Sequence, residues 1–357
     1  MTDPVPSAPA SFATAAALHD PAAFLALGLQ LAASRGGALA LGLVERALAR
    51  HGGDPAWEAA ARAIRSAQVP EFHDRMLRDD ARNAAYHAAI TRFAPGRRVL
   101  DIGTGSGLLA MMAARAGAAC VYACEANPML AAAARAVIAA NGLADRIRVF
   151  DCHSDKLDPV RDLDGGVDMI VSEIFAEGVV GEGVIASLAD ARARLALPGA
   201  LFVPDEAAIE VALAQFPPPA PAPGMAEGFD LAPFAPHIKK RRSCAADDPQ
   251  LVLRSRAMRL MRFDFGSGSV PASGAAQGLL TSDGGMVSGI AQWLTLTFAP
   301  DITYTNRPGS GPDRHWVINL APCTPGITAP GARFQAGAIH AEETLALWCK
   351  ALDGLVA

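Results

Sequence analysis

Two glutamates, Glu173 and Glu182, flank a glycine-punctuated loop that follows a short apolar run. Paired carboxylates that converge in a closed pocket suit a planar cation, because a guanidinium group presents its donors in a fork that matches two carboxylates. The Asn/Asp-Pro-Pro-aromatic sequence expected of a site that acts on the amino group of a nucleobase is absent here. Each glutamate alone would be a surface acid, and Glu177 is interpreted as a solvated loop acid. The hypothesis that the two glutamates bind a planar cation therefore depends on their position directly after a predicted strand.

A glycine-rich turn, residues 101–107, follows the apolar run at 98–100. Its glycines are Gly103, Gly105 and Gly107. Glycines let the backbone approach a ligand closely at the carboxyl end of a strand. A dinucleotide fingerprint requires a glycine where this chain has Leu108, so pyrophosphate binding is disfavoured. Glu125 lies 22 residues after Gly103 (125 − 103), at the end of the next strand, where it can accept hydrogen bonds from both ribose hydroxyls. We expect an adenosine ligand without a diphosphate.

The elements that must position these residues alternate between short apolar runs and alanine-rich helical segments from residue 69 to about residue 203. This alternation is typical of βαβ units around a parallel sheet. The predicted strands are 98–101, 120–125, 147–150 and 167–171. The turn, Glu125 and Glu173 all follow strand ends, so we expect them at one edge of the sheet.

After Pro204 the pattern changes to the alternating apolar runs 208–213, 293–298 and 316–320, which indicate an antiparallel β domain. A proline-rich linker at 216–224 interrupts this region. The basic run 239–242 is interpreted as a solvated loop, with a substrate or nuclear-import patch as the alternative.

The N-terminal region is predicted to be disordered over residues 1–20, which are rich in Pro, Ala and Ser. Residues 21–68 have helical spacing, and a helix is predicted to begin at Asp54-Pro55, an N-cap followed by proline. The region resembles one tetratricopeptide repeat, and a plain helical extension is the alternative. One repeat cannot bury its own apolar face, so it must pack against the rest of the chain or a partner. Arg35 and two glycines divide the apolar stretch 22–44 into pieces too short to cross a bilayer.

The bulk composition narrows the function classes. A net charge of −5 creates no broad positive field, so nucleic-acid binding is not expected, and no membrane association is expected. The six cysteines form no C-x-x-C pair and no zinc-ligand spacing, which predicts reduced thiols, no metal site and a cytoplasmic protein. The first twenty residues lack the basic region of a signal peptide.

Four separated motifs resemble those of the protein arginine methyltransferase family. The double-glutamate loop has the family's nine-residue spacing (182 − 173), and residues 76–86 resemble its Met-Leu-x-Asp-x-x-Arg-x-x-x-Tyr segment. His315 and Trp316 resemble the last two residues of its Thr-His-Trp loop. The glycine turn with Glu125 completes a set that covers about residues 70–320.

The resemblance implies S-adenosylmethionine as the cofactor. The implied cofactor-binding residues are Met76, Arg82, Asp101, Gly103, Gly105, Gly107, Glu125, Ser154 and Asp155. Arg82 would bind the cofactor carboxylate, Met76 would pack near the sulfonium, and Asp155 would lie near the adenine. The implied catalytic residues are Glu173, Glu182, His315 and Asp79, and the implied substrate-binding residues are Glu173, Glu182 and Trp316. His315 and Asp79 would pair across the domain interface as a candidate proton relay.

The resemblance also implies an α/β fold class. A Rossmann-like, seven-stranded class I methyltransferase domain (69–204) would follow the helical extension and precede an antiparallel β-barrel domain (205–357). An insert at about 225–250 resembles the family's dimerisation arm. Family members form a ring of two catalytic modules, and this sequence contains one module, so we expect a homodimer.

The chain departs from the family's pattern at three points. A pair of tyrosines that precedes the Met-Leu segment in the best-known members is absent from residues 63–67. Glu182 lies between two glycines, which resembles the branches that make monomethylarginine or, in tetratricopeptide-bearing members, symmetric dimethylarginine. Ile318 replaces a polar residue that often follows the histidine–tryptophan pair.

The expected function is therefore methyl transfer from S-adenosylmethionine to a guanidinium nitrogen of arginine in protein substrates. Two alternatives stay open. One is a small-molecule N- or O-methyltransferase on the same scaffold, and the other is a weakly catalytic adaptor that binds partners through its N-terminal helices.

Overall fold

A computed structural model of the chain describes residues 17–33, 37–67, 69, 72–218, 224–237, 242–268 and 270–353. These residues form two compact units. The first contains the described parts of 1–74 together with 90–173 and 193–200, and the second contains 75–89, 174–192 and the described parts of 201–357. The domain boundaries expected at 68/69 and 204/205 remain predictions, and the structure groups residues 75–89 and 174–192 with the second unit.

The first unit is organised around a parallel sheet. Its strands are β1 Arg98–Ile102, β2 Cys120–Cys124, β3 Ile147–Phe150, β4 Val167–Ser172 and β5 Ala196–Val203. The strand order is β3-β2-β1-β4-β5, and β1 pairs in parallel with both β2 and β4. The Rossmann-like architecture is confirmed, although the described residues place five strands in this sheet rather than seven. The reason is that the chain leaves the sheet after β5 and continues into an antiparallel strand that begins at Glu206.

Helices connect the strands of the parallel sheet. The connecting helices are α6 Leu108–Arg115, α7 Pro128–Ala140 and α8 Val184–Arg194. Two further helices, α4 Phe72–Arg78 and α5 Asp80–Phe93, precede β1. Asn127 caps α7, because its side chain accepts hydrogen bonds from the backbone N–H groups of Met129 and Leu130 and Pro128 occupies the first turn.

The N-terminal helices form a small apolar cluster of their own. They are α1 Pro21–Ala33, α2 Gly37–His51 and α3 Pro55–Ser66. The predicted cap of α3 is present, because the Asp54 carboxylate accepts hydrogen bonds from two N–H groups of the first turn. The Phe24 and Trp57 rings lie 5.2 Å apart within the cluster. A Cβ on Gly37 would lie 2.8 Å from the backbone nitrogen of Met129, so α2 packs closely on α7 within the first unit.

The second unit is antiparallel. Its longer strands are β6 Glu206–Gln215, β11 Met258–Asp264, β12 Ser273–Thr281, β13 Gly285–Ala299, β14 Ile302–Thr305, β15 Ile318–Thr328, β16 Arg333–Ala341 and β17 Thr344–Ala351. Short strands are β7 Met225–Ala226, β8 Phe229–Asp230, β9 Ser243–Cys244 and β10 Val252–Leu253. The order β10-β6-β13-β15-β9 forms one sheet, and β12-β16-β17 forms another. The predicted antiparallel barrel region is thereby confirmed.

One predicted strand begins later than expected. Trp316 and Val317 precede β15, which starts at Ile318. Asn306 explains the difference, because its side-chain amide donates to the backbone carbonyls of Trp316 and Val317 and holds them in a turn. Alternating hydrophobicity could not separate this buried turn from a strand.

Several expectations fall on other parts of the chain. Residues 1–16 of the predicted disordered tail, residues 219–223 of the proline-rich linker and residues 239–241 of the basic run lie outside the described residues. None of the described helices is long and apolar enough to span a bilayer. All six cysteines are free thiols.

Candidate active site

The glycine turn is stabilised from below by Asp101, which is fully buried at the end of β1. One carboxylate oxygen of Asp101 accepts hydrogen bonds from the Thr104 hydroxyl at 2.5 Å and from the Ala110 N–H at 3.1 Å. The glycines of the turn have positive φ angles of 73°, 54° and 82° at Gly103, Gly105 and Gly107. These values lie in the left-handed region, which favours glycine. Asp101 therefore holds the shape of the turn, and its own contact with the cofactor remains a prediction.

Glu125 lies across the same turn. Its carboxylate accepts hydrogen bonds from the Gly105 N–H at 3.0 Å and from the Asn127 N–H at 2.9 Å. The side chain is half-buried, so lone pairs of both oxygens can still reach a ligand on the turn. The ribose contact of Glu125 remains a prediction, and its chemical basis is that a carboxylate can accept hydrogen bonds from two adjacent hydroxyls.

Ser154 provides a test of whether an adenosine-containing cofactor fits. It begins the 3₁₀ turn Ser154–Lys156 after β3, it is 1% exposed, and its hydroxyl has no hydrogen-bond partner among the described residues. A buried hydroxyl without a partner is costly, so a ligand atom at this point would stabilise it. Asp155 is exposed, and hydrogen bonds from the Lys156 ammonium at 3.1 Å and from His153 Nδ1 at 3.1 Å lower the pKa of its carboxyl. The first unit therefore fits an adenosine group.

A buried hydrogen-bond cluster forms around Asp79 in the second unit. The Asp79 carboxylate accepts from the Tyr304 hydroxyl at 2.5 Å, from the Arg82 N–H at 3.0 Å and from the His315 N–H at 3.2 Å. His315 Nδ1 lies 3.4 Å from the same carboxylate, and an Arg314 guanidinium nitrogen lies 3.5 Å from it. The predicted Asp79/His315 pair is present, and both residues belong to the second unit rather than to different units.

These donors decide the charge of Asp79. Burial raises its pKa, but the hydrogen bonds from His315, Tyr304 and the Arg82 backbone outweigh burial and lower the pKa from 3.8 to about 2. Ionised Asp79 therefore stabilises the folded state by roughly 2 kcal/mol above about pH 4, and this contribution is lost as the pH falls towards 2. At neutral pH Asp79 is a hydrogen-bond acceptor and a poor proton acceptor.

The double-glutamate loop has an unusual backbone. Val179 has a φ of 67° and Glu182 a φ of 51°, values that residues with a side chain rarely adopt. A Cβ on Gly181 would lie 2.5 Å from the Cβ of Ala176, so only glycine fits at that position. Such strained residues persist where the surrounding structure holds them, and they occur often at active sites.

Two side chains of the antiparallel unit hold this loop. Trp316 Nε1 donates to the Phe175 carbonyl at 2.8 Å, and Gln292 Nε2 donates to the Glu177 carbonyl at 2.9 Å. Asn319 Nδ2 donates to Gln292 Oε1 at 2.7 Å and so orients the Gln292 amide. Trp316 was predicted to bind substrate, and the structure gives its indole nitrogen this additional role.

A prediction follows for Gln292, which is fully buried. Gln292→Met keeps the size of the side chain but leaves the Glu177 carbonyl and the Asn319 amide without this partner. An unsatisfied buried polar group costs about 1–3 kcal/mol. We expect the melting temperature to fall by about 3–8 °C and kcat/KM to fall roughly 10-fold. Calorimetry and initial rates measure the two effects. The exposed Gln277 on β12 offers Gln277→Met as a control, and equal behaviour of both variants would contradict the prediction.

The remaining predicted site residues are distributed over both units. Glu173 directly follows β4 in the first unit, whereas Glu182, Met76 and Arg82 belong to the second. Met76 and Arg82 are buried, and the Arg82 guanidinium donates to Asn83 and lies 5.1 Å from the centre of the Tyr86 ring. The convergence of the two glutamates and the approach of Met76 and Arg82 to the cofactor remain predictions.

Sequence reasoning did not find four polar residues that organise the site. They are Gln292, Asn306, Tyr304 and Arg314. Gln292 and Asn306 are fully buried, and a polar residue inside or beside an apolar strand run was the available signal. Their partners lie far away in the sequence, so the pattern alone could not assign them.

Comparison with known proteins places this geometry in context. A family model described as ribosomal protein L11 methyltransferase (PrmA) matches residues 87–203. An arginine N(omega)-methyltransferase of Streptomyces achromogenes subsp. streptozoticus is 39% identical over 259 residues, which is 71% of this chain and 71% of that protein. Protein arginine N-methyltransferase 7 of Oryza sativa subsp. indica is 44% identical over 139 residues, 36% of this chain, and this chain spans only 19% of that relative.

A solved structure supports the fold. The Trypanosoma brucei PRMT1 enzyme-prozyme heterotetrameric complex with AdoHcy aligns with a TM-score of 0.67 at 22% identity, over 80% of this chain and 94% of that chain. The Streptomyces relative and the family-model match define the class of this protein, an S-adenosylmethionine-dependent methyltransferase. The chain belongs to the protein arginine methyltransferase family, because the Streptomyces relative shares 39% identity over most of both chains.

Proposed function

We propose that this enzyme transfers a methyl group from S-adenosylmethionine to a terminal guanidinium nitrogen of arginine. The observation that carries the proposal is the double-glutamate loop, which has a left-handed backbone at Glu182 and whose Phe175 and Glu177 carbonyls accept hydrogen bonds from Trp316 and Gln292. A strained loop held from two sides is typical of a residue that must point in one direction. The Streptomyces relative is named an arginine N(omega)-methyltransferase, which agrees with the proposal.

The chemistry of the substrate explains the need for two carboxylates. Guanidinium has a pKa above 12, so it arrives protonated and is a poor nucleophile. Glu173 and Glu182 would hold its charge on the distal nitrogens and direct one Nη towards the methyl group that the cofactor supplies. Arg82 would bind the cofactor carboxylate, and Met76 would pack near its sulfonium.

A proton must leave the guanidinium during or after methyl transfer. Glu182 and His315 are the proposed acceptors. Asp79 is not, because its pKa of about 2 keeps it ionised at neutral pH. Asp79 instead accepts from His315 Nδ1 and leaves Nε2 as the acceptor of the ring.

The proposed product is monomethylarginine or symmetric dimethylarginine. Glu182 lies between Gly181 and Gly183, and this setting resembles the branches that make these products. Mass spectrometry of the reaction product distinguishes the masses, and fragmentation of a dimethylated product separates the symmetric from the asymmetric isomer. Asymmetric dimethylarginine would contradict the proposal.

Two substrate classes are candidates. The family resemblance favours arginine in protein segments, whereas the Streptomyces relative is named for arginine without reference to protein. Incubation with labelled cofactor and, in parallel, an arginine- and glycine-rich peptide or free L-arginine separates them. Amino-acid analysis should show methylarginine in one of the two incubations. Methyl groups on lysine or RNA alone would overturn the proposed function, and failure to bind the cofactor by calorimetry would favour the adaptor alternative.

We also propose a homodimer formed through the arm at about 225–250. Its described part exposes Met225, Phe229 and Phe234, which are 69%, 71% and 61% exposed. Large exposed apolar side chains that cluster in one segment mark interaction sites.

The arm prediction is tested by replacing Phe229 and Phe234 together with serine. We expect wild-type protein to sediment as a dimer and the double variant as a monomer with at least about 10-fold lower kcat/KM, because burial of two aromatic side chains contributes several kcal/mol to association. Replacing Leu279 and Ile339, which are 61% and 53% exposed on the β12-β16 sheet, with serine is the control. A fully active wild-type monomer would contradict the prediction.

A further inference from the structure

Tyr304 makes the shortest contact to the Asp79 carboxylate. Its ring is 3% exposed on β14, and its hydroxyl lies 2.5 Å from Asp79 Oδ2, the oxygen that also faces His315 Nδ1. The two residues are separated by 225 positions in the chain. A buried phenol and a buried carboxylate thus meet directly behind a predicted catalytic histidine.

The chemistry of the pair fixes the direction of the hydrogen bond. Burial and the nearby Asp79 charge raise the pKa of Tyr304 above its ordinary value of 10, so Tyr304 keeps its proton. Asp79 is ionised at neutral pH and accepts only. Tyr304 therefore donates to Asp79 throughout the physiological range, and the same carboxylate requires the proton of His315 to be on Nδ1.

Among the described residues, the Asp79 carboxylate interacts with His315, Tyr304, Arg82 and Arg314. His315 and Tyr304 share Oδ2, the Arg82 backbone N–H and an Arg314 guanidinium nitrogen approach Oδ1, and the Arg314 guanidinium lies 5.7 Å from the centre of the Tyr304 ring. The Tyr304 ring in turn lies 5.5 Å from that of Trp316. Tyr304 thus touches both the carboxylate and the tryptophan next to His315.

We propose that Tyr304 is a positioning residue of the methyl-transfer reaction, which holds Asp79 in place and through Asp79 sets the tautomer and direction of the His315 ring. The inference rests on the proposed function for its kinetic consequence. Its structural consequence, the state of His315, does not depend on which substrate is methylated. Tyr304 does not touch the substrate in this assignment and acts only through Asp79.

The test uses Tyr304→Phe, which removes one oxygen and keeps the ring. Without the hydroxyl, Asp79 Oδ2 loses its closest donor, and the orientation of the carboxylate towards His315 is less restricted. We expect kcat to fall about 5–20-fold while KM for the cofactor changes less than twofold. ¹⁵N NMR of histidine-labelled protein, with the His315 signals assigned from a His315→Asn variant, should show the Nδ1-protonated form in the wild type and a mixture of tautomers in Tyr304→Phe.

A matched control is available in the first unit. Tyr122 is also buried and donates to a carboxylate, Asp164, at 2.7 Å. Tyr122→Phe should lower the melting temperature. It should leave the His315 signals and kcat at their wild-type values. Equal His315 spectra for Tyr304→Phe and the wild type would overturn the proposal, as would equal loss of kcat in the two phenylalanine variants.

A double-mutant cycle separates an effect through Asp79 from a general loss of packing. In an Asp79→Asn background, Tyr304→Phe should have an additional effect on kcat of less than twofold, because the two residues act through one contact. Independent, multiplicative losses would overturn the proposal. Failure of the proposed function would appear differently, since the His315 spectra would still show the tautomer change in protein that methylates no arginine.

Discussion

Replacing Glu182 with glutamine is expected to lower kcat for methyl transfer to arginine by about 100- to 1,000-fold. The substitution keeps the size of the side chain and removes the negative charge that we propose faces the guanidinium. Loss of one electrostatic partner of the reacting group costs about 3–4 kcal/mol in the transition state. Glu182 is exposed and has a left-handed backbone, and the Trp316 and Gln292 donors hold the preceding part of its loop at the Phe175 and Glu177 carbonyls.

The binding of the cofactor should separate this effect from misfolding. We expect the Kd for S-adenosylmethionine to change less than twofold in Glu182→Gln, measured by calorimetry, because the residues assigned to the cofactor, such as Arg82 and Glu125, are unchanged. Glu177→Gln is the matched control, since it removes the same charge from the same loop and keeps the backbone carbonyl that Gln292 binds. A Glu182→Gln enzyme with wild-type kcat would refute the assignment of Glu182 as a guanidinium ligand.

The second large effect is expected at Glu125. Glu125→Gln replaces one acceptor oxygen with an amide donor, so the side chain can no longer accept hydrogen bonds from both ribose hydroxyls. Hydrogen bonds to a charged group contribute about 1.5–3 kcal/mol each. We expect the Kd for S-adenosylmethionine to rise roughly 10- to 100-fold, with a similar rise in the KM for the cofactor and little change in kcat at saturation.

Calorimetric titration with the cofactor or its demethylated product measures this effect without any methyl acceptor. Glu58→Gln on the exposed side of α3 is a suitable control, because it removes a carboxylate far from the turn in sequence and is expected to leave the Kd unchanged. Unaltered affinity in Glu125→Gln would show that the carboxylate supports the turn through the Gly105 N–H and contributes nothing to the ribose.

The first unit could be predicted in detail because its signals are local. Each strand is a short apolar run, each helix follows within a few residues, and the turn carries its glycines in order. The predicted strand starts at Arg98, Cys120, Ile147 and Val167 agree with the observed ones. The number of strands in the parallel sheet could not be predicted in this way. The apolar strand after β5 is compatible with either sheet, and its sequence does not show which one it joins.

The second unit shows where local patterns end. His315 and Trp316 are buried, and the alternation of apolar and polar residues around Trp316 predicted a strand. In the structure Asn306 donates to the Trp316 and Val317 carbonyls, and the strand begins only at Ile318. A buried turn has the composition of a strand when its polar groups are satisfied by a distant side chain. A hydrophobic pattern in the sequence indicates which residues are buried, but it does not show which partners their backbone groups bind.

The two glutamates of the loop, Glu173 and Glu182, illustrate the same division. Their types, their spacing and their position after a strand came from the sequence alone, as did the adenosine-type turn and Glu125. The sequence could also suggest the Asp79/His315 pair, but only through family resemblance. Tertiary structure alone decided that Tyr304 and Arg314 complete this pair and that Gln292 and Trp316 hold the double-glutamate loop. These contacts join residues 115 to 235 positions apart, and their geometry depends on strand pairing that no local periodicity encodes.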